Sequence, residues 1–218
     1  MIILAISTSA GQFALLLGKN KKILFNSNEI TETQELDFLL SEGLKKCNCQ
    51  LNEISEILID VGPGGTSRVR TGIAFANSLS YSLDIPIIPV SSMELAGIDC
   101  FRTFNMPVVF TVKSIKNNAY ISVFDGNKLN VKFGKIDEIL PEMLNNIIEF
   151  TVIGNHSEQI YNMESLKDKK IINSGKIFGN AEILIENFDL FYYRKLKFPK
   201  FAEAITENNY FVNNFFLH

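Results

Sequence analysis

Apolar residues in this chain come first in short runs and then at helical spacing, and that order occurs twice. IILAIS (2–7), FALLLG (13–18) and KILFNS (22–27) are separated by Ser-Thr-Ser-Ala-Gly and Lys-Asn-Lys-Lys turns, which predicts a meander of antiparallel neighbours. ETQELDFLLSEGLKKC (32–47) then places Leu36, Leu39, Leu40 and Leu44 at helical spacing, with acidic residues early and Lys45 and Lys46 late to complement the helix dipole. ISEILIDVG (54–62) holds a buried strand, a glycine turn at 62–66 leads to a helix over 67–82, and IPIIPV (85–90) gives a strand before a helix from Ser91 or Ser92. Strand, helix, strand from Glu56 to Val90 predicts a parallel crossover.

The second half uses the same grammar. PVVFTVK (107–113), AYISVFD (119–125) and KLNVKFG (128–134) form a second meander with Asp125-Gly126-Asn127 as a turn, and a helix follows through DEILPEMLNNII (137–148). FTVIG (150–154), a short helix, KKIINS (169–174) and a helix near 179–187 complete the unit. Three strands, helix, strand, helix, strand, helix thus occurs twice without obvious identity, which predicts an α/β chain with a duplicated lobe. The boundary falls in CFRTFNM (100–106), giving an N-terminal lobe over 1–103 and a C-terminal lobe and tail over 104–218. Part of the aromatic tail is expected to wrap back on the body, and its end to be disordered in solution.

Composition narrows the function classes. With 218 residues, 46% apolar and 21% charged, the chain builds a core without staples. Its net charge of −3 and pI near 5.5 argue against a dedicated nucleic-acid binder. Cys47, Cys49 and Cys100 suggest neither a disulfide framework nor a zinc site, so a reducing cytoplasm fits. MIILAIS lacks a basic leader and breaks at Ser7-Thr8-Ser9-Ala10-Gly11, too soon for a signal peptide or a membrane span.

The stretch VGPGGTSRVRTGIAFANSLS (61–80) looks like a phosphate loop, but Pro63 removes an N–H and Arg68 stands where a Lys-Ser/Thr pair is needed. The plainer reading is a strand-to-helix turn with Thr66 or Ser67 as N-cap. Arg68 and Arg70 place positive charge against the dipole and call for an acidic neighbour. That neighbour is either Asp60 or a nearby Glu, or else a phosphate or carboxylate from a partner, with Ser67 and Arg70 as the anion contacts. Gly72, Ala76 and Ser80 recur every fourth residue as a low ridge flanked by Val69, Ile73 and Leu79. The ridge packs on the lobe's own sheet or receives a partner; Ala74 and Phe75 make the opposite side apolar too.

Catalytic constellations are sparse. His156 and His218 lie at no metal-ligand spacing, and His156 is expected at a helix start. Ser7, Thr8 and Ser9 end the first strand as turn-formers without a nearby acid or base. Cys47 and Cys49 follow Lys45 and Lys46, which would lower a thiol pKa slightly. Arg194, Lys195, Lys197 and Lys200 form a basic run that reads as a solvated surface or an RNA-phosphate contact. No cofactor or metal site is indicated.

Taken together, ILAISTS, VGPGGTSRVRTGIAFANSLS, IPIIPVSSMELAG and FYYRKLKFPK resemble the TsaB (YeaZ) family, a subunit of the bacterial machinery that makes threonylcarbamoyladenosine next to the tRNA anticodon. The family turn reads like Gly-Pro-Gly-Ser-Phe-Thr-Gly-Leu-Arg-Ile-Gly; Gly62, Pro63, Gly64, Arg70 and Gly72 match, while Thr66 and Arg68 depart. The resemblance implies a two-lobed actin-like/Hsp70-like (ASKHA) fold and a catalytically inactive relative of the transferase TsaD. It implies pairing with TsaD through N-lobe helices, TsaE joining the pair, tRNA reached through the complex, and a homodimer when TsaD is absent. The implied interface comprises Leu36, Leu39 and Leu40 with Val69, Gly72, Ile73, Ala76, Leu79 and Ser80. Ser7 stands where the family usually has an aspartate, and the helix at 32–47 lacks the paired histidines of TsaD-like members; both favour a scaffold. The alternative is a free-standing phosphotransferase or metal-dependent transferase of the same fold.

Overall fold

The computed structural model describes residues 2–9, 13–29, 35–196 and 200–209. In chain order the first half runs β1 (Ile2–Ser7), β2 (Ala14–Lys19), β3 (Lys22–Asn26), α1 (Leu36–Lys46), β4 (Ile54–Asp60), α2 (Thr66–Leu83), β5 (Ile87–Val90) and α3 (Ser92–Phe104). The second half runs β6 (Val108–Lys113), β7 (Ala119–Phe124), β8 (Leu129–Gly134), α4 (Ile136–Met143), β9 (Glu149–Gly154), α5 (Ser157–Tyr161), β10 (Lys170–Asn173), α6 (Glu182–Glu186) and α7 (Phe188–Phe191).

The two sheets are ordered β3-β2-β1-β4-β5 and β8-β7-β6-β9-β10, the same topology twice. Within each, an antiparallel meander is extended by two parallel strands: β1 pairs with β2 through Ile3↔Gly18 and with β4 through Leu4↔Ile57, and β6 pairs likewise with β7 and β9. The α/β class and the repeated grammar expected from the sequence are what the backbone adopts. Asp125 Oδ1 accepts the N–H groups of Asn127 (2.9 Å) and Lys128 (2.7 Å), which makes the expected turn between β7 and β8.

Two compact units divide the chain, Met1–Ser91 with Ala181–Ala204 and Ser92–Asn180 with Ile205–His218. The boundary read at 103/104 lies at the end of α3, whereas α3 packs on β6, β7 and β9 and α6 packs on β1, β2 and β3. In the first unit every residue of β1 is buried, as are Ala14 to Gly18 of β2, as strands covered on both faces require. Gly43 lets α1 lie close, since a Cβ there would sit 2.7 Å from the Phe25 ring. In the second unit, α4 and α5 cover a core of Val109, Ile121, Leu140, Phe150, Val152 and Ile160, while Gly97 of α3 approaches Phe124.

Differences from the sequence reading have local causes. The first four residues of the helix read at 32–47 include positions outside the described set, and α1 starts at Leu36 after Glu35. Gly65, not Thr66 or Ser67, is the N-cap of α2, and no side chain caps it, because the glycine run completes the turn one residue early. Helix α4 stops at Met143 rather than 148; Pro141 lacks the N–H for Asp137's carbonyl, and Asn145 and Asn146 follow. The disorder expected of the extreme C-terminus concerns residues 210–218, outside the described set.

The tail is fastened to the first unit. Leu196 exchanges backbone hydrogen bonds with Ile87 at 3.0 and 2.8 Å, and Lys195 forms an ion pair with Glu56 while its Nζ lies 3.3 Å from the Tyr192 ring centroid. Glu56 is 3% exposed, so the pair neutralises a charge within β4. Lys195→Met therefore costs about 2 kcal/mol in urea unfolding, below the range for fully enclosed pairs because Lys195 is partly exposed. Adding Glu56→Leu recovers most of that loss.

Candidate functional site

At the C-terminal ends of β1 and β4 the chain gathers Ser7, Thr8, Ser9 and Asp60, all buried. Apolar strands deliver them there: IILAI and ILI carry the backbone through the core, and the first polar residues fall where the strands leave the sheet. Ser7 Oγ donates to Asp60 Oδ2 at 2.8 Å, Ser9 Oγ donates to the same oxygen, and the Gly62 N–H donates to Asp60 Oδ1 at 2.9 Å. A buried carboxylate with three donors is satisfied and holds the turn rigidly. Gly62 adopts φ +89°, a conformation that glycine takes without strain.

Thr8 Oγ1 donates to the Arg68 carbonyl at 2.8 Å, tying β1 to the first turn of α2. Gly72 makes that contact possible, since a Cβ at this position would lie 2.3 Å from Thr8 Oγ1. The low ridge consequently faces inward. Val69, Gly72, Ile73, Ala76 and Ser80 are buried in their own unit, as are Leu36, Leu39 and Leu40 of α1, and Leu79 is partly buried. These residues pack within the protein's own unit, the first of the two arrangements open to the ridge.

The outward face of α2 carries Thr71, Ala74, Ser78 and Tyr81, with Phe75 partly exposed and Tyr81 63% exposed. Beside it, Asn77 and Ala202 exchange two 3.0 Å hydrogen bonds, and Phe201 joins Ser78 and Tyr81 around a shallow groove of about 390 Å³. Arg68 and Arg70 are exposed and meet no carboxylate among the described residues. Asp60 is not their partner, because its oxygens are occupied by Ser7, Ser9 and Gly62. Ser67 is exposed, and its carbonyl accepts from Thr71 Oγ1 at 3.0 Å.

The remaining candidates fall elsewhere. His156 precedes α5 in the second unit; burial, then the nearby Lys113, pushes its pKa below the usual histidine value. Cys47 ends α1, where burial and then Cys49 push its thiol up, the reverse of the lowering that Lys45 and Lys46 suggested. Cys100 is buried in α3 and its thiol is pushed up to about 11. Of the basic run, Lys195 is spent on Glu56, Arg194 lies over the Phe191 and Tyr193 rings, and Lys197 is outside the described residues. Sequence reasoning missed the Asp60 cluster, although an acid ending the apolar run ILID was its visible signal.

Among the described residues no three His, Cys, Asp or Glu side chains are grouped to hold a metal. The donor set at the strand ends does not fit a divalent cation, since Ser7 and Ser9 both direct their hydroxyl protons at the one carboxylate. No helix among the described residues is long and apolar enough to cross a membrane.

The family model for TsaD, tRNA N6-adenosine threonylcarbamoyltransferase, matches residues 32–193. The chain belongs to this family. Within it, the resemblance to TsaB stands: "tRNA threonylcarbamoyladenosine biosynthesis protein TsaB" of Buchnera aphidicola (subspecies Acyrthosiphon pisum) is 27% identical over 225 residues, covering 98% of this chain and 99% of its own. A tRNA N6-adenosine threonylcarbamoyltransferase of Buchnera aphidicola (subspecies Schizaphis graminum) is 28% identical, over 53% of this chain and 35% of its own. The solved structure of YeaZ from Pseudomonas aeruginosa superposes with a TM-score of 0.74 at 14% identity, covering 94% of this chain and all 100% of that one, and so shares the fold.

Asp60→Ala strands three donors in the TsaB-like turn and lowers stability by about 3 kcal/mol in urea titration, whereas Ser7→Ala alone costs about 1 kcal/mol. His156, held neutral in the fold, takes up a proton more readily when unfolded. Stability therefore declines as pH falls below about 6.5, the ordinary histidine value, toward the lowered folded one. Comparing urea midpoints at pH 7.5 and 5.5, His156→Gln loses less than the wild type.

Proposed function

We propose that this chain is a non-catalytic subunit in tRNA threonylcarbamoyladenosine biosynthesis, which pairs with a TsaD-type transferase and positions it for threonylcarbamoyl transfer to tRNA adenosine. Its place in that biosynthesis rests on the TsaB relative matched across nearly its whole length. The scaffold role is supported by the strand-end cluster. Asp60 is committed to holding the turn before α2, and Ser7 contributes a hydroxyl to that hold rather than a charge beside a substrate. A carboxylate so engaged stabilises a surface-bearing helix rather than serving as a base.

The partner face in this reading is the outer side of α2, where Thr71, Ala74, Ser78 and Tyr81 form a low exposed strip, with Phe38 of α1, 45% exposed, as a second apolar point. Small residues there permit close helix approach, and Tyr81 offers a large amphipathic contact. Arg68 and Arg70 then find their acidic partners on the transferase, satisfying a charge that the chain itself leaves open. TsaE joins the pair, tRNA is reached through the complex in the cytoplasm, and two copies use the same strip when the transferase is absent.

Co-purification with the transferase of the same cell, read by native mass, tests the pairing. Ala74→Arg or Ser78→Arg weakens association by about tenfold or more while leaving unfolding unchanged, since both positions are exposed. Ala76→Leu instead costs about 2 kcal/mol of monomer stability, because it overfills the core. Loss of the tRNA modification on deletion of the chain checks the pathway assignment, and unchanged association of both arginine variants would move the interface off this face. Nucleotide turnover by the isolated chain, abolished by Arg70→Ala, would favour the free-standing enzyme.

A further inference from the structure

Cys47 and Cys49 stand at the C-terminal end of α1, separated by Asn48, and both are partly exposed. Cys47 is the C-cap, its N–H donating to the Gly43 carbonyl at 2.9 Å, and the chain then turns back through Asn48 at φ +50°. Asparagine takes this left-handed conformation more readily than other residues with a Cβ. The turn is closed by the Asn48 N–H on the Lys45 carbonyl at 3.1 Å and the Cys49 N–H on the Leu44 carbonyl at 2.9 Å. Helical backbone of either hand sets Cα atoms two residues apart at about 5.5 Å, inside the span of roughly 4.4–6.8 Å that a disulfide bridges. The Cys49 thiol donates to the Cys47 carbonyl at 3.3 Å, so the second side chain is folded back over the residue that carries the first.

We propose that Cys47 and Cys49 are a redox modification site, a dithiol that closes to a reversible disulfide by exchange with a small-molecule disulfide such as oxidised glutathione. The thiolate of one cysteine attacks a glutathione sulfur, forming a mixed disulfide and releasing one glutathione thiolate. The second cysteine's thiolate then attacks the protein sulfur of that mixed disulfide and releases the other. Two protein thiols are oxidised to one disulfide, glutathione disulfide is reduced to two thiols, and the two protons pass to the leaving thiolates. Among the described residues no third His, Cys, Asp or Glu joins the pair to hold a metal. Lys46, exposed beside Cys47, places positive charge where the anionic reagent approaches. Burial and then the nearness of Cys49 push the Cys47 thiol up, so no stabilised thiolate competes with the disulfide. A bond across a single intervening residue is strained and exposed, the kind that opens again under reducing conditions.

The full chain, equilibrated with mixtures of reduced and oxidised glutathione, alkylated and digested with trypsin, tests the site. Cleavage after Lys46 and Arg68 leaves both cysteines on one peptide, 47–68. Expected is a form of that peptide lighter by two hydrogens, which rises with the oxidised fraction and disappears on adding dithiothreitol. Cys47→Ser and Cys49→Ser instead hold a glutathione adduct at least about tenfold more abundant than in the wild type, because the mixed disulfide has no second thiol to resolve it. Cys100, buried with its thiol pushed up to about 11, is alkylated only after unfolding and serves as the internal control. Asn48→Val, which resists the left-handed turn, needs about a tenfold more oxidising mixture to close. Peptide 47–68 fully alkylated in every mixture, carrying two glutathiones, or linked to a second chain would overturn the proposal, as would closure of Asn48→Val at the wild-type ratio.

Discussion

The buried carboxylate of Asp60 is the point on which the first unit turns. Two serine hydroxyls from the end of β1 and the N–H of Gly62 converge on it, joining two parallel strands to the turn that starts α2. Without that convergence Gly62 has no reason to keep its left-handed backbone, and α2 loses the direction that sets Gly72 against Thr8. Everything the helix presents outward, from Arg68 to Tyr81, follows from how its inner face is seated. A polar cluster in an apolar interior is costly unless every member is paired, and here pairing is what transmits the strand geometry to the surface.

The duplicated sheets show the same logic run with different residues. At the end of β6, Thr111 occupies the place that the serine cluster holds at β1, accepting from Asn155 and His156 instead of donating to an acid. One half thus closes its strand ends around an internal charge, and the other closes them with backbone donors to a single threonine. A common backbone plan allows this divergence because the ladders are built from backbone groups, which leaves the side chains at the strand ends free to vary.

Much of the plan was legible in the chain itself. Alternation and turn residues located all ten strands among the described residues to within a few residues, because short apolar runs bounded by Gly, Asn and Ser leave little choice of structure. Which side of α2 is buried was not legible: Ala76 and Ala74 are the same residue on opposite faces, and only the approach of Thr8 to Gly72 decides between them. The N-cap moved to Gly65 for a similar reason, since the cap depends on backbone angles that three nearby glycines leave open. The Asp60 cluster and the Lys195–Glu56 pair join residues more than fifty positions apart, beyond the reach of any local period.

The first unit is discontinuous: its sheet comes from residues before Ser91, but α6, which covers that sheet, comes from residues after Ala181. A growing chain emerging from the ribosome therefore exposes Gly18 and its neighbours until Ile185 has been made. The two halves must be synthesised before either is whole, so folding is a property of the complete polypeptide rather than of its parts in turn. Cutting the chain at its internal repeat would yield two sheets, each missing the helix that keeps it dry.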